Sequence, residues 1–170
     1  MYIVLMAMLA LNVSSDVLKG FSLIGDSLKR TTGNAMKENA ALYADFESAY
    51  KSNPTKVKPW YDKAMEVKRM SDSLYTLAGD LRLAIAREAD GKDADPDNLQ
   101  NKEDLEGSNR IMLAPARGKG KQLYDAINNF RTRILALVTD PRQRAIIASN
   151  LSTDVPKSED NVGKNWQQYM

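Results

Sequence analysis

Three aspartates, Asp93, Asp95 and Asp97, alternate with other residues as they do where a calcium-binding loop begins. Carboxylates at the first, third and fifth positions of such a loop converge on one hard cation. The pattern then fails, because Asn98 stands where the loop needs glycine and Asp104 where it needs a bidentate glutamate. We therefore predict a solvated acidic loop and no metal site.

A second candidate, the segment Gly118–Lys121, offers two glycines and two lysines to a phosphate group. A phosphate-binding loop also needs glycine where Pro115 stands, serine or threonine where Gln122 stands, and a strand before it. These requirements are not met, so the segment is predicted to be a flexible basic turn. Arg142 and Arg144 are likewise predicted to be surface charges near the start of a helix.

The composition narrows the chemistry further, because the 170 residues include no cysteine and no histidine. Thiol catalysis, disulfides, the usual zinc sites and an imidazole base are thereby excluded. The net charge of +2 implies neither a nucleic acid nor an acidic partner. The aromatic residues Trp60, Tyr61, Trp166 and Tyr169 are not interleaved with basic ones, so we interpret them as packing anchors.

The elements that hold these segments are predicted to be all helical, because no stretch alternates with period two. The most regular helix is predicted from near Pro59 to about Asp90. Its apolar seam has spacings of three and four: Val57, Trp60, Ala64, Val67, Ser71, Leu74, Ala78, Leu81 and Ile85. Other helices are predicted over residues 35–51, about 121–139 and, briefly, near 145–148. Residues 91–107 form a long acidic loop, which the basic segment 110–121 could neutralise.

The first fifteen residues carry no charge, and three interpretations compete for them. A signal peptide would begin with a basic residue, yet none occurs before Lys19. A helix over residues 1–13 would be roughly 20 Å long, which suits a buried core helix but not a complete membrane span of about 30 Å. The third interpretation is the outer half of a transmembrane helix whose inner half lies upstream.

The residues that follow favour this third interpretation, because Val13, Val17, Phe21, Ile24 and Leu28 continue at helical spacing without proline. One rod from Tyr2 to about Lys29 is predicted to leave the bilayer and enter a domain. We expect it to end at residues 30–34, where basic residues precede a capping Gly33.

The run from Met1 to Phe21 resembles the membrane segment of the GldM/PorM family, and the sequence Gly163-Lys164-Asn165-Trp166 is similar to that family's Gly-Lys-x-Trp stretch. The resemblance implies that residues 1–15 are the outer part of a transmembrane helix. Residues 16–170 would be the first periplasmic domain, a helical bundle. The family's basic cytoplasmic segment and its later β-rich periplasmic domains have no counterpart in these residues.

The resemblance also implies a function, namely an ion-motive-force-driven motor subunit of type IX secretion and gliding motility in Bacteroidetes. It would be a single-pass inner-membrane protein, a homodimer whose helices pass through a GldL-like ring in the lipid bilayer. Further periplasmic secretion components would be its other partners. The chain would not be an enzyme and would need no cofactor, because the proton carrier is expected in the ring.

Six residues are singled out for this function. Tyr2, Met6, Met8 and Asn12 would face the ring or the membrane, with Asn12 at the outer interface as an equal alternative. Gly20 and Gly25 are the weak points of a rod that transmits torque; close helix packing is the alternative for them.

Two other function classes stay open. A ligand-binding helical ectodomain of a single-pass receptor predicts a pocket between helices. A soluble interaction domain predicts that the first helix is core and that the chain needs no detergent.

Overall fold

A computed structural model describes residues 15–102, 104, 106–114 and 118–166. Its elements are α1 (Ser15–Ser52), α2 (Pro54–Asp90), α3 (Glu106–Met112), α4 (Gly120–Leu137), α5 (Pro141–Asn150) and a 3-10 turn (Glu159–Asn161). No strand occurs among the described residues, and the predicted all-α fold is confirmed. Within that same part of the chain, no helix combines the length and apolarity that crossing a membrane requires. The predicted membrane segment is residues 1–15, and all of it except Ser15 lies outside the described part.

The chain divides into two compact units, Met1–Tyr61 and Asp62–Met170. The predicted division after residue 15 is a different kind of boundary, between membrane and domain, and it stays a prediction. In the first unit the dominant element is α1. The second unit contains α3, α4 and α5 together with most of α2.

The predicted helix end at residues 30–34 is wrong, because α1 continues through Gly33 to Ser52. A capping glycine adopts positive φ, and Gly33 does not. Glycine costs a helix about 1 kcal/mol relative to alanine but does not end it when helix formers follow, as Ala35 and Met36 do here. The Thr31 hydroxyl donates to the carbonyl of Ser27, one turn earlier, at 3.0 Å, a bond that a helical threonine makes. The predicted second helix, over residues 35–51, is therefore the later part of α1.

A single residue, Asn53, links α1 to α2. Its amide donates to the carbonyl of Ala49 at 3.0 Å, and its side-chain Oδ1 accepts from the amide of Lys56 at 3.2 Å. Asn53 thus caps both helices, and Pro54 takes the first helical position, where no amide is needed. The predicted start near Pro59 is wrong for this reason, and Pro59 lies inside α2.

The chain reverses at this link. The rings of Tyr50 and Tyr61 stack with centroids 4.5 Å apart and planes 12° from parallel. Eleven residues of uninterrupted helix would separate them by roughly 16 Å, so the stack requires the turn at Asn53. Tyr61 is an anchor, as predicted.

In the second unit α2 ends where predicted, at Asp90, and Gly91 with φ 88° supplies the left-handed cap. The Asp90 carboxylate then accepts the amides of Gln100 at 2.7 Å and Asn101 at 2.8 Å, which folds the acidic loop back onto the helix end. The loop is shorter than predicted, because α3 begins at Glu106.

The last two long elements follow the prediction more closely. α4 spans Gly120–Leu137 against a predicted 121–139, and Asp140-Pro141 separates it from α5. The Asp140 side chain accepts the amide of Gln143 at 2.8 Å, so it caps α5 with Pro141 at the first position. α5 is therefore longer than the predicted residues 145–148.

Candidate interaction surface of the first helix

One side of α1 is apolar and uncovered. At 100° per residue, five large apolar side chains share this side, which we call the α1 face: Phe21, Ile24, Leu28, Leu42 and Phe46. Phe21 is 66% exposed, Leu28 63% and Leu42 59%. An amphipathic helix normally buries such a stripe, and contiguous exposed apolar surface marks interaction sites. The α1 face is therefore the candidate functional surface.

The middle of the α1 face is polar or small. Thr32, Ala35 and Asn39 lie in line with the apolar residues and are also exposed. The surface consequently has two apolar ends, Phe21 to Leu28 and Leu42 to Phe46, and about four helical turns separate Leu28 from Leu42. A partner that matched this pattern would be fixed in register along the helix, because a shift would place apolar groups on Asn39.

Gly20 and Gly25 both lie inside α1, with open space beside them. A Cβ built on either glycine would meet no heavy atom within 4 Å. Close packing against the residues that the structure describes therefore does not explain them. Gly25 lies between Phe21 and Leu28 on the same side of the helix, where a small residue leaves room for the close approach of another helix.

The three aspartates of the calcium-like pattern do not converge. Asp95 accepts the backbone amide of Asp97 at 2.9 Å, and the Asp97 carboxylate forms an ion pair with Arg82 of α2. In the part of the chain that the structure describes, no group of three or more histidine, cysteine, aspartate or glutamate residues is placed so that it could hold a metal ion.

The segment Gly118–Lys121 is closely packed, so the predicted flexible turn is wrong. A Cβ on Gly118 would lie 2.6 Å from the carbonyl oxygen of Met112, and one on Gly120 would lie 2.8 Å from that same oxygen. The amides of Gly118 and Lys119 donate to the carbonyls of Ala114 at 2.8 Å and Ile111 at 2.9 Å. A phosphate loop needs such amides for its ligand, and here the chain itself uses them.

Comparison with known families supports one of the open alternatives. Residues 16–170 match the family described as the GldM N-terminal domain. The chain belongs to this family. The matched residues begin at Asp16, after the apolar run. The predicted resemblance rested mainly on residues 1–21, and the match over the rest of the chain confirms it. Among curated proteins, sequence comparison gave no match.

Membership of the GldM N-terminal domain family associates the chain with gliding motility and type IX secretion, within a membrane-anchored apparatus of several components. The four residues predicted to face the ring or membrane, Tyr2, Met6, Met8 and Asn12, lie outside the described part of the chain. Their roles stay predictions, as does the torque role of Gly20 and Gly25.

Two arginines of this GldM-family domain connect separate structural elements. Arg144 donates to the carbonyls of Leu135 and, at 2.8 Å, of Val138, so it caps the end of α4. Arg144 is an exposed charge near the start of α5, as predicted, and the cap is a role that the prediction did not include. Arg110 contacts Glu88 of α2 at 2.6 Å and Asp104 of the acidic loop at 3.0 Å. The hydrogen bond to Glu88 raises the pKa of Arg110.

The predicted neutralisation between the acidic and basic segments is confirmed for Arg110 and Asp104, with Glu88 as an additional partner. At the other end of the second unit, Trp166 is an anchor as predicted, since its ring stacks on Tyr124 of α4 with centroids 4.9 Å apart. Asn128 holds the preceding segment to the same helix by donating to the Thr153 hydroxyl at 2.9 Å. Trp60, in contrast, is an exposed side chain.

Proposed function

We propose that this chain is the anchor and first periplasmic domain of an ion-motive-force-driven motor subunit in type IX secretion and gliding motility. Its membrane helix would turn or move inside a GldL-like ring and pass that motion to a periplasmic shaft. Family membership supports the setting. The observation that carries the proposal is α1, a helix of 38 residues that is unbroken from Ser15 to Ser52.

The mechanical argument concerns stiffness. A helix of 38 residues is about 57 Å long, and each turn is braced by backbone hydrogen bonds. Sharp bends arise mainly at proline, and α1 contains none. Gly20, Gly25 and Gly33 lower its helix propensity without interrupting it. A rod of this kind can transmit displacement from a membrane to a distant domain.

A second copy of the chain is the partner that we propose for the α1 face. Two such helices side by side would cover Phe21, Leu28 and Leu42 on both chains, and their shared register would be set by the polar middle. Pairing would also stiffen the shaft. The small Gly25 would allow the two helices to approach closely at the end nearer the membrane.

The membrane part of the proposal concerns residues 1–15, as the outer portion of a single-pass inner-membrane helix. Tyr2, Met6, Met8 and Asn12 would contact the ring helices, where pliable methionine side chains suit a sliding contact. We assign no catalytic residue, metal or cofactor to this chain, because the ion carrier would belong to the ring. Other periplasmic secretion components would receive the motion.

The experiment replaces Gly20 and Gly25 by proline in the complete protein in its own cell. Proline inside a helix costs about 3 kcal/mol and bends it, so we expect loss of gliding and secretion. The matched control is alanine at both positions, which the open space beside them accommodates. Alanine should leave motility intact. Normal secretion by the proline variant, at unchanged protein level, would refute transmission through a rigid α1.

A second candidate function is the ligand-binding ectodomain, which predicts a pocket between helices. The observation that favours this function is a cleft lined by residues of α2 and α4. Purification of the full-length protein separates the two functions. A multi-helix membrane protein that co-purifies in excess over a dimer of this chain supports the motor, and its absence together with stabilisation by a small molecule supports the receptor.

A further inference from the structure

The cleft between α2 and α4 has a volume of about 410 Å³ and lies wholly within the second unit. Its apolar lining includes Met70 and Leu74 of α2 and Phe130 of α4. Met70 is only 8% exposed, so the cleft reaches the buried core. Arg69 and Arg133 contribute positive charge to the same lining.

The two arginines differ in their partners. Arg133 donates to the Glu66 carboxylate at 2.7 Å. The guanidinium of Arg69 makes no ion pair or hydrogen bond to a residue that the structure describes, and Arg69 is exposed. Asn129 brings an amide to the same cleft. The cleft thus combines an apolar lining with net positive charge and with N–H donors that can turn to a ligand.

We propose that this cleft binds a small amphiphilic carboxylate, whose apolar chain packs on Met70, Leu74 and Phe130 while its carboxylate pairs with Arg69. A planar guanidinium binds a carboxylate through two parallel hydrogen bonds. Asn129 would donate to the same group. A cationic ligand is disfavoured by the two arginines, and a neutral one would leave Arg69 without a counter-ion.

The dimensions favour a small molecule over a protein segment. The lining residues span positions 69–77 of α2 and 126–133 of α4, so each wall is about two helical turns long. A helix docked by anchors at i, i+3, i+4 and i+7 would already occupy the whole length of these walls. The volume instead lies in the range of about 300–1,000 Å³ that is typical of small-molecule sites. The inference goes beyond the proposed motor function and does not depend on it.

The test uses the full chain of 170 residues, labelled with carbon-13 at its methionine methyl groups, and octanoate as the probe. We expect saturable binding that shifts the Met70 methyl resonance, assigned through Met70→Leu. Octanamide and octylammonium have the same apolar chain without the carboxylate, so they should bind at least about tenfold more weakly. Because motility is not measured, the result is independent of the motor proposal.

Variants assign the site. Arg69→Ala should weaken octanoate binding about tenfold, since it removes a charge-assisted hydrogen bond. Arg142→Ala removes the same charge from α5, outside the cleft, and should leave the affinity unchanged. Ala126→Phe should block the cleft and abolish the Met70 shift. Because Arg69 is exposed, its variant is expected to fold even if Ala126→Phe does not.

Four results would overturn the inference. Equal binding of octanoate and octanamide would show simple partitioning of an alkyl chain. An unchanged Met70 resonance at saturation would place the ligand elsewhere. Undiminished affinity in Arg69→Ala would remove the proposed carboxylate partner, and a Met70 shift caused by a protein partner but not by octanoate would make the cleft a docking site.

Discussion

Helix α1 and the second unit use the same residue types for opposite purposes. Leucine is exposed at position 28 of α1 and buried at position 81 of α2, with 63% and 4% of the residue accessible. Glycine has open space at position 20 and a carbonyl oxygen against it at position 118. The second unit therefore gains its stability from contacts within the chain, whereas α1 presents groups whose contacts would come from outside.

The largest expected contrast is between two leucine truncations. Leu81→Ala should lower the free energy of unfolding by about 2–5 kcal/mol, because it leaves a cavity in the core. Leu28→Ala should change it by less than about 0.5 kcal/mol in the monomer, because the Leu28 side chain is 63% exposed. Urea unfolding followed by the fluorescence of Trp166, in a Trp60→Phe background, measures both.

The same pair of variants tests the α1 face as an interface between copies. In concentrated protein, Leu28→Ala should weaken self-association, measured by sedimentation, while Leu81→Ala should not do so directly. A Leu28→Ala variant that lost several kcal/mol at low concentration would show that α1 is covered within the chain. The comparison between the two regions would then fail.

The next contrast is between two glycines. Gly118→Ala forces a Cβ against the Met112 carbonyl and should cost about 1–3 kcal/mol of unfolding free energy. Gly20→Ala meets no atom within 4 Å and should raise helix stability by up to about 1 kcal/mol. Chemical denaturation monitored by circular dichroism distinguishes a loss from a gain. Equal effects at the two positions would contradict the contrast.

A smaller effect is expected where arginine replaces a missing helix cap. Arg144→Ala removes the hydrogen bonds to the carbonyls of Leu135 and Val138, and it should cost about 1 kcal/mol. Arg142→Ala is the matched control, since it removes an equal charge from the same helix. Thermal unfolding of both variants at equal ionic strength is the measurement. Identical melting temperatures would show that the Arg144 contacts contribute nothing.

The sequence predicted elements best where two local signals agree. The end of α4 is marked both by the last apolar position, Leu137, and by Asp140-Pro141. The predicted end, residue 139, lies two residues from the observed end at Leu137. At Gly33 the signals conflicted, because a glycine after basic residues suggests an end while Ala35 and Met36 favour continuation. The start of α2 was predicted at Pro59 because proline favours the first turn of a helix, but Asn53 provides the cap and Pro54 takes the first position.

What the sequence could not supply depends on contacts between distant residues. Gly118 looks like a flexible residue until Met112 is known to lie against it, and Arg144 looks like a surface charge until the carbonyls of α4 are placed beside it. The sequence did not predict the α1 face as one surface, because a helix end was expected between Leu28 and Leu42. Its two apolar ends form one surface because the helix does not end between them.

The smallest effect is expected at the end of α1, where Glu47 and Lys51 form a fully exposed ion pair at 2.8 Å, one turn apart. The hydrogen bond from Lys51 lowers the pKa of Glu47, and the same bond raises the pKa of Lys51. A lowered carboxyl pKa stabilises the helix end above the ordinary glutamate pKa of about 4.3, and that contribution is lost as the pH falls through the folded value. The raised pKa of Lys51 stabilises the helix end below the ordinary lysine pKa of about 10.4, and that stabilisation is lost as the pH rises through the pKa of the folded state.

Amide exchange near Ala49 should therefore be slowest between these limits, after correction for intrinsic rates, and the acid-side change should disappear in Glu47→Gln. Salt at about 1 M shortens the screening length to about 3 Å, so it should flatten the same response in the unaltered protein. An acid-side response that survives both the substitution and the salt would have to come from another group, and the fraying of α1 would then not be controlled by this pair.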